Sequence, residues 1–361
     1  MTNSLLTRRP SEWDPLPPTK RQSACLDLSP DRPGELVVEN LNRALHLVME
    51  DESVFFLGED IADPYGGAFK AGRGLSTRFP GRVLSTPISE LGFTGVANGL
   101  ALSGRVPIVE FMFGDFALLA YDQIVNFAAK SPSMYGERRR HTVLFRIPVG
   151  GRRGYGPTHS QSVQKHFLGI PDLDLYETSP LHDNTKLIPL ILSSGTPSIL
   201  FESKSLYGWP VSTGDRVDDL YHFSSSENGF FARAFVSDQP DLTIVTTGSM
   251  FPDCLGAARK LFFEHEIDSQ IIVLARIYPF DLDWLGHTTT SRAVFLVEEG
   301  SVECGWTSGL SRELRELERS GINVQTIGSV HSIIPSSKHL EAGVIPGADQ
   351  IAARILSDLH S

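Results

Sequence analysis

The residues able to do chemistry gather in three short segments. Thr86-Pro87-Ile88-Ser89-Glu90 precedes Gly92-Phe93-Thr94-Gly95, where a strand pattern gives way to a helical one. A carboxylate at such a junction sits where open α/β sheets bind ligands, outside the carboxyl ends of their strands. Glu90 is therefore a candidate acid or base. The same placement equally suits a Ser89 helix cap, with Glu90 complementing the helix dipole. Glu110-Phe111-Met112-Phe113-Gly114-Asp115-Phe116 closes a second strand, and its aromatics suit an ordinary core. Gly150-Gly151-Arg152-Arg153-Gly154-Tyr155-Gly156-Pro157-Thr158-His159-Ser160-Gln161 is a glycine-rich loop, whose backbone can approach a ligand closely. It carries His159, which also suits a turn. Complete catalytic sets are missing from the sequence. It has no Gly-x-Gly-x-x-Gly after a strand, no Walker loop, no Gly-x-Ser-x-Gly elbow and no Cys/His zinc spacing.

The elements that position these segments follow from periodicity. Residues 1–34 are rich in Pro, Ser and Arg and read as an irregular extension. From residue 35 the pattern is regular. Val37, Leu41, Ala44, Leu45 and Val48 share a helical face, and Val54–Leu57 is a short buried strand. A strand is expected at 82–86, a helix at 92–104, a strand at 106–111, a helix at 118–130 and a strand at 142–147. A helix at 182–193 and a strand at Ser198–Phe201 follow. Residues 206–225 hold Gly208, Pro210 and Gly214 without a period and read as a linker. A second series then runs through strands at Leu242–Thr246, Ile271–Leu274, Val294–Val297 and Val324–Ile327. Its helices fall at Leu255–Phe262, at Trp306, Leu310, Leu314 and Leu317, and at 348–359. Alternating strands and helices predict two α/β units, each with a parallel sheet covered on both faces.

Composition narrows the class. With 361 residues the chain exceeds what a single core usually fills, so two domains are expected. A net charge of −11 disfavours non-specific binding to nucleic acid or to an anionic membrane surface. The dense basic run, Arg138-Arg139-Arg140, reads as a solvated loop. Cys25, Cys254 and Cys304 suit neither a metal nor a disulfide framework, so a reducing cytoplasm is expected. No stretch is long and apolar enough to span a bilayer, and no signal-peptide core is visible.

The three segments, in this order and spacing, resemble the beta subunits of thiamin-diphosphate-dependent 2-oxo acid dehydrogenases, those acting on pyruvate and branched-chain 2-oxo acids. The resemblance extends collinearly from about residue 35 to the end. It takes in Phe56-Leu57-Gly58-Glu59-Asp60, Asp122-Gln123-Ile124-Val125-Asn126 with Ala128-Ala129-Lys130, Ile277-Tyr278-Pro279-Phe280-Asp281 and Val297-Glu298-Glu299-Gly300. It implies a transketolase-like pyrimidine-binding domain over 35–205 and a transketolase C-terminal domain over 226–361. It implies further that Glu90 hydrogen-bonds N1′ of the cofactor's aminopyrimidine. A carboxyl there favours the 4′-imino tautomer, which takes the proton from C2 of the thiazolium, and the ring then serves as electron sink for decarboxylation. Phe116 matches the aromatic that stacks on the pyrimidine, with Met112 and Ile88 beside it. Glu59 matches an acid on a polar path between active sites, and His159 the histidine facing the reacting carbon.

The family's Gly-Asp-Gly site for the diphosphate and Mg²⁺ is absent, since Gly114-Asp115 and Gly214-Asp215 both lack the third residue. The resemblance thus implies an alpha subunit carrying that site, in an α2β2 assembly with the active site at the interface. It also implies a lipoyl acyltransferase as acyl acceptor, although Gly328-Ser329-Val330-His331-Ser332-Ile333-Ile334-Pro335 departs from the Asp-x-Pro-x-Pro signature of such members. Two other readings stay open: the beta subunit of a two-chain carboligase or acetoin-type enzyme, and a non-catalytic scaffold subunit.

Overall fold

The computed structural model describes residues 34–134, 140–288, 291–315 and 321–360. Cys25, Arg138, Arg139, Leu317 and the extension through residue 33 lie outside the described residues. Among the described residues the chain forms two sheets, each flanked by helices. The first has seven strands: β1 (Val54–Glu59), β2 (Val83–Thr86), β3 (Val106–Glu110), β4 (Leu144–Val149), β5 (Asp174–Glu177), β6 (Ser198–Ser203) and β11 (Arg276–Tyr278), in the order β11-β5-β6-β4-β3-β1-β2. The second has six: β7 (His222–Ser225), β8 (Phe231–Phe235), β9 (Leu242–Thr247), β10 (Ser269–Leu274), β12 (Ala293–Ser301) and β13 (Asn323–Ser329), in the order β13-β12-β9-β10-β8-β7.

The sheets are mostly parallel, as expected, with antiparallel pairings toward one side of each. β11 runs antiparallel to β5, β8 runs antiparallel to β10, and β7 runs antiparallel to β8. An antiparallel edge strand on an otherwise parallel sheet is a common arrangement. The strand β11 comes from the C-terminal half of the chain yet completes the first sheet. β7 lies within the stretch read as a linker, and residues 207–211 of that stretch are tied to the start of the first helix. There Val37 N–H donates to Trp209 O at 2.9 Å and Val211 N–H to Glu35 O at 2.8 Å.

Helix α1 (Val37–Val48) buries the apolar face read from the sequence, with Val37, Leu41, Ala44, Leu45 and Val48 all in the core. α2 (Glu90–Leu102) follows β2 and packs on β3. α3 (Asn184–Ser194) is capped by Asp183, whose carboxylate accepts the Thr185 N–H at 2.9 Å. α4 (Phe251–His265), α5 (Trp306–Glu313) and α6 (Ala348–Leu359) cover the second sheet.

The helix expected at 118–130 is different. A short turn at Gly114–Ala117 and a 3-10 turn at Leu118–Ala120 lead into a π-type stretch at Gln123–Ala128. Asn98 on α2 contacts the widened stretch. Its Nδ2 donates to the Gln123 carbonyl at 2.9 Å, and Ala129 N–H reaches back five residues to Ile124 O. A side chain inserted into the hydrogen-bond ladder displaces its register, and π turns of this kind often lie at functional sites.

Candidate active site

β1, β3 and β4 are parallel neighbours, in register at Gly58↔Glu110 and Glu110↔Arg146, so their carboxyl ends share one edge of the sheet. Beneath that edge lies a buried ion triad. Arg146 donates to Glu110 at 2.6 Å and to Glu202 through two hydrogen bonds of 2.7 and 2.9 Å. Burial works against the guanidinium's charge, but Glu202 and Glu110 outweigh it and hold Arg146 firmly protonated. Burial also pushes the Glu110 carboxyl up, with Arg146 pulling it back. Gly67, at φ +85°, packs so closely on Glu110 that any side chain there would collide with the carboxylate.

Two groups stand on this edge. The first is a pair of carboxylates. Glu59 ends β1 opposite Thr86, and Glu90 opens α2; both are only 7% exposed. Burial raises the Glu59 carboxyl above the ordinary range, and the neighbouring Glu90 charge raises it further. Glu59 Oε1 and Thr86 Oγ1 are buried without a hydrogen-bond partner. Ser89 makes no side-chain cap to α2; its hydroxyl lies against Gly92 instead. The Ser89 cap is therefore not realised, although Glu90 does lie in the first turn of α2.

The second group is aromatic. His159 packs edge-on against Phe113 and Phe116, with ring centroids 4.7 and 5.1 Å away. Phe113 is also in ring contact with Phe69, Phe116 and Tyr155. Thr158 Oγ1 lies 3.0 Å from His159 Nδ1. Phe116, Phe113, Met112 and His159 are all half-buried, so their free faces are open to a ligand, whereas Ile88 is 84% exposed on the turn before α2. The structure thus brings Phe116 and His159 into contact and Glu59 and Glu90 into electrostatic contact. Ile88 projects to solvent, outside both groups.

Sequence reasoning underrated two residues. Phe113 is the hub of the aromatic group, though Phe116 alone carried a role in the resemblance. Lys204 was overlooked altogether. It is fully buried, its Nζ lies 5.5 Å from the Phe113 ring centroid, and no hydrogen-bond partner meets it. Burial lowers its ammonium to about 8, with Glu299 and Asp115 opposing the shift. A lysine after a buried strand ordinarily reaches solvent, so nothing in its local sequence marks it.

An aminopyrimidine needs a carboxyl partner for a ring nitrogen and an aromatic face to lie on. The orphaned acceptor of Glu59, the buried Glu90 and the half-buried Phe116 fit such a group. Among the described residues no group of three His, Cys, Asp or Glu side chains is placed to hold a metal ion. Among them, too, no helix is long and apolar enough to cross a membrane.

Fold and site together define a two-domain, transketolase-like α/β protein. The transketolase pyrimidine binding domain matches residues 39–210, and the transketolase C-terminal domain matches residues 233–351. The beta subunit of acetoin:2,6-dichlorophenolindophenol oxidoreductase from Cupriavidus necator is 32% identical over 327 residues, which is 87% of this chain and 94% of that protein. The mitochondrial pyruvate dehydrogenase E1 component subunit beta-1 of Arabidopsis thaliana is 32% identical over 323 residues, 87% of this chain and 86% of that one. The chain belongs to this family of transketolase-like dehydrogenase beta subunits. Among solved structures, a split-gene transketolase described as an inactive beta4 tetramer superposes with a TM-score of 0.68 at 20% identity. It covers 90% of this chain and 98% of its own, and it supports the fold.

Proposed function

We propose that this chain is the beta subunit of a thiamin-diphosphate-dependent 2-oxo acid dehydrogenase, which decarboxylates a 2-oxo acid and passes the acyl group to lipoamide. The observation that carries this reading is the buried Glu59–Glu90 pair at the carboxyl edge of the first sheet, in a chain whose relatives are named beta subunits of such enzymes. Bound thiamin diphosphate supplies the nucleophilic carbon and the electron sink for cleaving the bond between the oxo carbon and the carboxylate. Glu90 holds a proton at the pyrimidine N1′. Glu59, raised by burial and by Glu90, stands at the start of the buried polar path beside it. Phe116, with Met112 beside it, offers the surface on which the pyrimidine lies. His159 holds the substrate carboxylate or moves a proton during acyl transfer.

The diphosphate and Mg²⁺ are assigned to an alpha subunit, because the sequence has no Gly-Asp-Gly. The working unit is then an α2β2 tetramer in a cytoplasmic setting, with a lipoyl acyltransferase as acceptor. Calorimetry with thiamin diphosphate and Mg²⁺ tests the two-chain arrangement. The isolated chain should bind the cofactor only weakly, and adding the alpha subunit should restore tight binding. Micromolar affinity in the isolated chain would overturn it.

The acetoin-type reading has its own support in the Cupriavidus necator relative, matched over 94% of its length. The same Glu90 chemistry would then act on acetoin. Dichlorophenolindophenol reduction by the reconstituted complex, with acetoin or with a 2-oxo acid as substrate, separates the two.

A further inference from the structure

The Val297-Glu298-Glu299-Gly300 segment has no part in the mechanism above, yet Glu299 reaches the His159 loop. It lies near the end of β12, in the C-terminal half, and is buried. Its Oε1 accepts the Gly151 N–H at 2.7 Å and the Ser162 hydroxyl at 3.1 Å. One oxygen therefore joins the two ends of the loop that carries His159. Close by, Gly150 N–H donates to Gln161 O at 3.2 Å. Gly150 sits at φ +89°, and a Cβ there would come within 2.8 Å of Glu299 Oε1, so the closure requires glycine.

Other groups of the C-terminal half hold the loop between those ends. Glu341 accepts the Gly154 N–H at 3.0 Å, and Arg152 pairs with Asp253 at 2.9 Å and donates to Pro346 O at 3.0 Å. The second oxygen of Glu299 is buried without a hydrogen-bond partner, as is the ammonium of Lys204, and the two attract. Lys204 in turn lies against Phe113, the ring that touches His159. Glu299 thus bears on His159 through the two ends of the loop that carries it.

We propose that Glu299 is a positioning residue: it closes the 151–162 loop so that His159 stands against Phe113 and Phe116 in the geometry that serves the substrate. This rests on the reading that His159 acts on the substrate. Small displacements of a reacting group can cost about 10²-fold in rate.

The test uses the reconstituted complex with its alpha subunit. Glu299→Ala should lower kcat/KM for the 2-oxo acid by about 10- to 100-fold and leave cofactor affinity unchanged. Glu299→Gln keeps an oxygen acceptor for Gly151 N–H and should recover most of that loss. Glu299→Ala should also cost nothing further in a His159→Ala background. Amide hydrogen exchange across 151–162 should rise in Glu299→Ala, and less in Glu299→Gln. Additive losses in the double variant, or unchanged exchange in Glu299→Ala, would overturn the proposal. Full activity of His159→Ala would instead remove the role assigned to His159, leaving loop closure to be judged by exchange alone. Should Glu299→Ala not fold, Ser162→Ala removes one half of the closure and must show the same pattern at smaller size; a Ser162→Ala complex with unchanged kcat/KM and exchange would overturn the proposal equally.

Discussion

The imidazole of His159 stands edge-on to the ring of Phe116, with centroids 5.1 Å apart and planes at 82°. One residue comes from the glycine-rich loop and the other from the turn after β3. The contact places a titratable group beside an aromatic face, and the two should fail in different ways.

His159→Ala in the assembled enzyme should lower kcat/KM for the 2-oxo acid by about 10²–10⁴-fold while cofactor affinity holds. Phe116→Ala should do the reverse and weaken thiamin diphosphate binding about 10-fold, in line with stacking worth 1–3 kcal/mol per base. Stopped-flow kinetics and calorimetry read the two effects separately. Equal damage to both quantities in both variants would mean the pair acts only as packing.

Glu90→Gln should reduce turnover by at least about 10²-fold, because the amide cannot share a proton with the pyrimidine nitrogen. Its melting temperature should stay within a few degrees of the parent, since the variant keeps the size of the side chain and relieves the repulsion on Glu59. Steady-state rates with a parallel melting curve decide this, and a near-parental rate would take Glu90 out of the chemistry.

A pH effect is expected away from the site. Glu298 is buried, accepts hydrogen bonds from the Thr307 hydroxyl and backbone N–H, and is pushed up by burial to about 7, with Thr307 opposing. Because the folded value lies above the unfolded one, the folded state binds the proton more tightly. Stability from this group is full below the unfolded value near 4.5 and is lost as pH rises through about 7. Glu298→Gln, which cannot ionise, should therefore gain on the parent as pH rises from 5 to 7.5, by up to a few kcal/mol. Urea unfolding at the two pH values measures the gap, and a gap that shrinks with pH would reverse the assignment.

Periodicity located β1 to β4, β6, β9, β10, β12 and β13, and the helices α1 to α6, because their apolar faces repeat locally. It did not find β5, β7, β8 or β11, nor the π-type stretch. β11 is only three residues long, and its partner β5 is a distant segment. The π-type stretch meets Asn98 of another helix, a contact that no local pattern foretells. At the site, Glu90, Phe116 and His159 could be proposed from the sequence because each lies in a motif that the family resemblance singles out. Lys204, Arg146 and Glu299 were not, since their importance comes from burial and from partners far along the chain. A buried charge announces itself only once the fold has removed it from water.

The strand β11 has one more consequence. It lies in the C-terminal half of the sequence but seals the outer edge of β5 in the first sheet, through Arg276↔Tyr176 and Tyr278↔Leu175. The two halves therefore cannot be traded between relatives as independent cassettes. A chain ended between the two family-matched regions would leave β5 as an uncovered parallel strand, the kind of edge that recruits other chains into aggregates. The joint in the molecule does not fall where the joint in the sequence falls, and the last strand of the first unit arrives only after four strands of the second, β7 to β10, have been made.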